Sequence, residues 1–191
     1  MNLPKLILAS GSPRRAEILD FVGWEFEKHV ADVDESQKTG ENGAKYVQRL
    51  AEEKAEAIAL KYENTLVLGA DTIVLIDDKI IGKPVDLDDA RKMLKTISGR
   101  WHEVLTGVAI VKISNKNPQS IVGLKTTRVK FKELSKEEIE FLVQKGEPLD
   151  KAGAYAVQAQ AALFIEKIEG DYWNVVGLPI NLVYRLVKEL S

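Results

Sequence analysis

An α/β fold with a mixed central sheet flanked by helices is predicted by three features of the chain. In its first half, short apolar runs alternate with amphipathic stretches: Leu6 to Ala9 precedes one helix start, and Leu66 to Ala70 follows another helix over Asn42 to Leu60. In its second half, strand-like stretches succeed one another directly, Trp101 to Lys112 and Ser120 to Glu133. Strand–helix alternation implies parallel pairing and strand–strand succession implies antiparallel pairing, so the sheet is mixed. Third, 191 residues with 45% hydrophobic content and a mean hydropathy of −0.14 describe a soluble globular chain with an adequate core. That length suits one domain, or two small lobes around a shared cleft.

The opening element is a buried strand, Leu6 to Ala9, that stops at the turn-forming Ser10-Gly11-Ser12. Pro13 then suits the first position of a helix, which Ile18, Leu19 and Val22 continue on helical spacing. A strand that turns through small residues into a helix leaves backbone N–H groups aimed at one spot, which favours an anion. Arg14 and Arg15 add full charges beside it, so a phosphate seat is expected; arginines on a capped, solvated helix are the competing reading.

A second strand is expected within Trp24 to Val30, ending in Asp32, Asp34 and Glu35. Oxygen-only carboxylate clusters suit Mg²⁺, although taken by itself this one is better read as a solvated acidic turn. The helix over Asn42 to Leu60 has Val47, Leu50, Ala51, Ala55, Ile58 and Ala59 on one face. Lys54 follows two glutamates there, so an intrahelical charge contact is its simplest role.

Leu66 to Ala70 is a doubly buried strand, and apolar character resumes at Ile73 to Ile76. Asp71 interrupts it. A carboxylate left unpaired in an apolar segment costs several kcal/mol, roughly 2–7 for a polar group and more for a charge. Asp71 is therefore the leading catalytic candidate, with Gly69 and Ala70 leaving room for a ligand at the backbone. Asp77-Asp78 marks a hairpin into Lys79-Ile80-Ile81, and Gly82-Lys83-Pro84 puts an ammonium on a strand-end loop. Asp86 to Ile97 is a second amphipathic helix.

The two following strands are expected to be joined by a polar loop, 114–119. Ser135-Lys136-Glu137-Glu138 is a capping box opening a helix that ends near Lys145-Gly146. The small residues of Asp150 to Tyr155 allow close approach of backbone or ligand, and Gln158 offers an amide that can read a base edge. A last strand, Phe164 to Ile168, precedes a turn and the final helix, Ile180 to Leu190.

Composition excludes several classes of function. No cysteine is present, which removes disulfides, thiolate metal sites and cysteine nucleophiles. His29 and His102 are too far apart in sequence to suggest a multi-histidine metal site. A net charge of −2 gives no general footprint for nucleic acid. The short N-terminal apolar run lacks the length of a membrane span or signal peptide, so a cytoplasmic protein is expected. The phosphate loop of common NTPases, Gly-x-x-x-x-Gly-Lys-Ser/Thr, does not occur.

Five stretches together carry a resemblance: Leu8 to Arg15, Gly69-Ala70-Asp71-Thr72, Gly82-Lys83-Pro84, Asp150 to Tyr155, and Gly170 to Pro179. In this order, over nearly the full length, the chain resembles the Maf family of nucleotide pyrophosphatases, whose fold is similar to that of inosine triphosphate pyrophosphatases. The resemblance implies a single domain, 1–191, with a strongly twisted sheet and two lobes around a cleft. It implies hydrolysis of a nucleoside triphosphate to the monophosphate and pyrophosphate with a divalent metal, Mg²⁺ or Mn²⁺.

By the same resemblance Asp71 is the catalytic acidic residue. Ser10, Arg14, Lys54 and Lys83 line the phosphate site, beside Arg15 of the anion seat. Asp34 or Glu35 joins Asp71 as metal ligand. One branch of the family prefers dTTP and UTP, another 7-methyl-GTP. Arg14, Thr72 and Gln158 match the first. The expected partner is the nucleotide, with neither nucleic acid nor membrane, and a homodimer is a possible assembly. The cellular role implied is housecleaning of nucleotides. The alternative function is a nucleotide-sensing regulatory protein of cell division without turnover.

Overall fold

The computed structural model describes residues 3–190. Its elements follow in chain order: β1 (Leu6–Ala9), α1 (Pro13–Phe21), β2 (Phe26–His29), α2 (Gly43–Ala59), β3 (Leu66–Ile76), β4 (Lys79–Ile81) and α3 (Leu87–Ile97). Then come β5 (Trp101–Ser114), β6 (Asn117–Phe131), α4 (Lys136–Lys145), β7 (Ile165–Glu169), α5 (Tyr172–Val176) and α6 (Ile180–Leu190). The seven strands form one mixed sheet in the order β2-β1-β3-β5-β6-β7, with β4 paired to β3. β1 is parallel to β2 and β3, with Leu6 opposite Phe26 and Leu66, whereas β4 and β7 pair antiparallel.

Local chemistry explains most element ends. Pro13 sits at the first helical position of α1. The Asn42, Asp86 and Ser135 side chains cap α2, α3 and α4, and Ser135 with Glu138 forms the complete capping box. Asp77 and Asp78 both adopt left-handed φ, 49° and 59°, as a two-residue hairpin turn demands. Asp71 and Thr72 break the apolar character of β3 but not the strand, which runs unbroken through them. One expectation changes. The loop expected over 114–119 contracts to a two-residue turn at Asn115 and Lys116, with φ of 51° and 63°, between the neighbouring strands β5 and β6.

The chain divides into two compact units. The first holds the residues up to Asp71, Thr106–Lys125 and those from Gly177 on; the second holds Thr72–Leu105 and Thr126–Val176. In the first, Ile7, Ala9, Val67, Ala109 and Val111 of the sheet pack on Ala51, Ala55, Ile58 and Ala59 of α2. In the second, Val74, Ile76, Val104, Val129 and Phe131 pack on Ala90, Leu94 and Ile97 of α3 and on Leu142 and Val143 of α4. Among the described residues no helix is long and apolar enough to cross a membrane.

Candidate active site

Helix α2 lies unusually close to the sheet, and that proximity builds the site. Its inner face carries Ala51, Ala55 and Ala59, and two of the strand residues beneath it, Gly69 and Gly107, are glycines. A Cβ added to Gly69 would stand 2.0 Å from the Ala51 carbonyl oxygen, and one on Gly107 would stand 2.2 Å from that of Val47. Side chains two apart on a strand share a face, so Asp71 presents toward α2 as the missing Gly69 side chain would. The space at Gly69, expected for a ligand, is taken by the helix.

This approach brings Lys54 of α2 onto Asp71. The Lys54 Nζ is 2.7 Å from Asp71 Oδ1 and 2.6 Å from Glu35 Oε1. Lys54 is buried, and the Asp71 side chain is 13% exposed, so the pair is only lightly screened by water. The charge contact expected for Lys54 inside its own helix is replaced by one to a strand and a loop. Glu35 is placed by its backbone: its carbonyl accepts a hydrogen bond from the Tyr46 hydroxyl at 2.8 Å. Arg49 holds the same loop, donating to the Ser36 carbonyl and to the Glu41 carboxylate. Asp34 turns elsewhere, accepting from the Ser36 N–H and hydroxyl with its two oxygens, both at 2.9 Å. Burial raises the Tyr46 phenol, and the charges of Asp71 and Glu35 add to the rise.

The second half of the site is a brace. Arg15 is 8% exposed and does not lie on a solvated helix face. Its Nη1 donates to Ser10 Oγ at 3.0 Å and to the Ala70 carbonyl at 2.8 Å, and its Nε donates to the Gly177 carbonyl at 3.0 Å. A guanidinium spreads five donors over a rigid planar fork, so its separate nitrogens reach acceptors of different segments that an ammonium would have to gather around one nitrogen. Burial lowers its pKa, and the nearby Asp71 and Glu35 charges work against that. Ser10, also buried, accepts from the Ser12 N–H at 3.2 Å, which shapes the turn into α1. Arg14 next to it is half-buried. The end of β1, the residue before Asp71 and the Gly177 peptide are thereby tied to one side chain.

Thr72, Lys83 and Gln158 belong to the second unit. Thr72 follows Asp71 along β3, whereas Lys83 and Gln158 are exposed. The Gly82 carbonyl before Lys83 accepts a hydrogen bond from the Gly153 N–H at 3.0 Å. Gly153 takes a φ of +69°, and a Cβ there would meet Val74 at 2.9 Å, so only glycine closes this turn without strain. Tyr46, Gly107, the bracing role of Arg15 and the His102–Tyr155 pair escaped the reading of the sequence. The alanine stripe of α2 set against Gly69 and Gly107 was the one usable signal.

A helix-flanked mixed sheet of this order, with the buried Lys54 ammonium held between the Asp71 and Glu35 carboxylates, defines an α/β protein with a charged site on its sheet. The fold is shared with the Staphylococcus aureus Ham1 protein, at a TM-score of 0.51 and 13% identity over 98% of this chain and 100% of that one. The chain belongs to the family of Maf-like proteins, whose family model matches residues 5–190. Among its relatives are proteins named dTTP/UTP pyrophosphatase. That of Symbiobacterium thermophilum is 46% identical over 99% of this chain and 95% of its own length. That of Desulforamulus reducens is 49% identical over 92% of this chain and 91% of its own.

Proposed function

We propose that this protein is a nucleoside triphosphate pyrophosphatase that hydrolyses dTTP and UTP to the monophosphate and pyrophosphate in the cytoplasm. The observation that carries the reading is the Lys54 ammonium held by Asp71 and Glu35 beside the Arg15-braced turn. The names of the relatives supply the substrate.

The donor set fits a divalent cation. Among the described residues there is no group of three or more metal-ligating side chains. Two carboxylates do converge on one cationic position, however, and Mg²⁺ characteristically takes one or two protein carboxylates and completes its shell with water and substrate phosphate. Asp71 and Glu35 would hold the ion. When bound, Mg²⁺ or Mn²⁺ supplies neutralising charge to the triphosphate.

The remaining roles fall to the chain. Ser10, Arg14 and the α1 N-terminal turn receive phosphate oxygens, with Lys54 and Lys83 adding charge. Arg15 acts from behind, keeping the turn and the Ala70–Asp71 peptide in register. Asp71 accepts the proton of a water whose oxygen attacks the α-phosphorus; the bond from that phosphorus to its bridging oxygen breaks, and pyrophosphate leaves. Gln158 can donate to O4 and accept from N3–H of uracil or thymine at once, with Thr72 and Arg14 as further determinants of choice.

The test is a nucleotide panel with Mg²⁺ or Mn²⁺, scored for pyrophosphate against orthophosphate. The expected result is stoichiometric pyrophosphate, highest with dTTP and UTP. Tight nucleotide binding with no product would instead indicate a sensor.

A further inference from the structure

His102 on β5 is 2% exposed, and its Nε2 lies 2.7 Å from the hydroxyl of Tyr155, itself 7% exposed. The two rings meet edge-on at 5.5 Å, and both pack against Phe131. The imidazole Nδ1 is buried with no hydrogen-bond partner. A buried polar atom left unsatisfied is costly, so a phenylalanine would serve packing alone better than this histidine does. What the imidazole adds is the bond to Tyr155.

Tyr155 stands in the middle of the stretch that places Lys83 and Gln158, the two exposed candidate site residues of the second unit. Two residues before it, Gly153 holds the Gly82 carbonyl next to Lys83. After it, Val157 is buried and Gln158 emerges exposed from a turn closed by the Ala159 N–H on the Ala156 carbonyl. Neither Lys83 nor Gln158 lies on a helix or strand. Their placement rests on how this stretch is anchored.

We propose that His102 is a positioning residue: through the Tyr155 hydroxyl it fixes the 150–158 stretch, and so sets the base discrimination borne by Gln158. This rests on the pyrophosphatase reading above. The bond acts on where the base is read and leaves the proton transfer at Asp71 alone, so its loss falls on KM and on choice of base more than on kcat.

The test compares Tyr155→Phe, His102→Phe and Gln158→Ala. Tyr155→Phe keeps the ring against Phe131 and removes only the hydroxyl, so it carries the test even if the histidine variant folds poorly. Loss of one buried hydrogen bond corresponds to roughly a 3- to 10-fold effect. The ratio of kcat/KM for UTP to that for CTP should fall by about that factor, mostly through KM, in Tyr155→Phe and His102→Phe alike. Tyr155→Phe should change the ratio no further once Gln158→Ala is present. A residue that only stabilised the fold would lower the active fraction and leave the ratio unmoved. If Gln158→Ala shifts the ratio and the other two do not, the positioning role is overturned while the base reading stands. If Gln158→Ala shifts nothing, the base reading fails and the proposal with it. Hydrogen exchange of the 153–159 amides, which needs no nucleotide, should quicken in Tyr155→Phe; unchanged exchange overturns the anchoring itself.

Discussion

Gly69→Ala is the substitution with the largest consequence for its size. The added methyl would sit 2.0 Å from the Ala51 carbonyl oxygen and 2.9 Å from the Ala55 nitrogen, both backbone atoms of α2 that cannot swing aside. Ordinary contact requires about 3.4 Å or more, so the helix must retreat by over ~1 Å. Overpacking of this kind costs about 1–3 kcal/mol, and the smaller entropy of the unfolded alanine chain recovers only about 0.4–1 kcal/mol. The helix also carries Lys54, whose 2.7 Å contact to Asp71 does not survive such a retreat. A misplacement of ~1 Å at a reacting site costs on the order of 100-fold in rate. Urea denaturation and steady-state pyrophosphate release on the purified variant check both figures. A Gly69→Ala protein with wild-type stability and turnover would refute the claim that close helix–sheet approach assembles the site.

Three further substitutions follow from the same geometry. Arg15→Lys cannot reach Ser10, Ala70 and Gly177 together; two or three donor–acceptor pairs are lost, about 1–3 kcal/mol each where burial leaves an acceptor unsatisfied, and thermal stability and turnover should drop together. Lys54→Met frees Asp71 and Glu35 from their shared ammonium, so turnover should fall while Mn²⁺ binding without nucleotide, followed by electron paramagnetic resonance, tightens; weaker binding would contradict the fit of that pair to a cation. Burial pushes the His102 imidazole down from 6.5 to about 4, so the folded protein keeps it neutral while the unfolded chain protonates near 6.5. Its contribution is complete above pH 6.5 and is lost as pH falls toward 4, roughly 3 kcal/mol in all at 1.36 kcal/mol per pH unit; urea midpoints across that window should be flatter in His102→Gln.

Much of the fold was legible because local rules and tertiary demands agree in this chain. Pro13, Asn42, Asp86 and Ser135 announce helix starts that the structure places within a residue, and the final helix falls on Ile180–Leu190 as its apolar stripe implies. The turn within 114–119 has no sequence marker because Lys116, a residue type that does not favour left-handed backbone, occupies such a position at φ 63°. At the site, an acidic residue in an apolar strand marked Asp71 by charge alone. Its partners could not be read the same way. Lys54 sits among helix glutamates in sequence, and its contact with Glu35 and Asp71 exists only because Gly69 and Gly107 let α2 descend onto the strands. Arg15 is expected from sequence as a charge beside the anion seat, with a solvated helix face as the competing reading; that it braces three acceptors from Ser10, Ala70 and Gly177 depends on segments distant in the chain and has no local signal.

Release of pyrophosphate from dTTP and UTP by the wild-type protein and by Asp71→Asn tests the central claim most directly. Asparagine keeps the shape of the side chain and removes its charge and basicity, so a folded variant should lose roughly 100- to 10,000-fold in kcat. An Asp71→Asn protein that still releases pyrophosphate at the wild-type rate would mean that the carboxylate held by Lys54 is not where the reaction takes place.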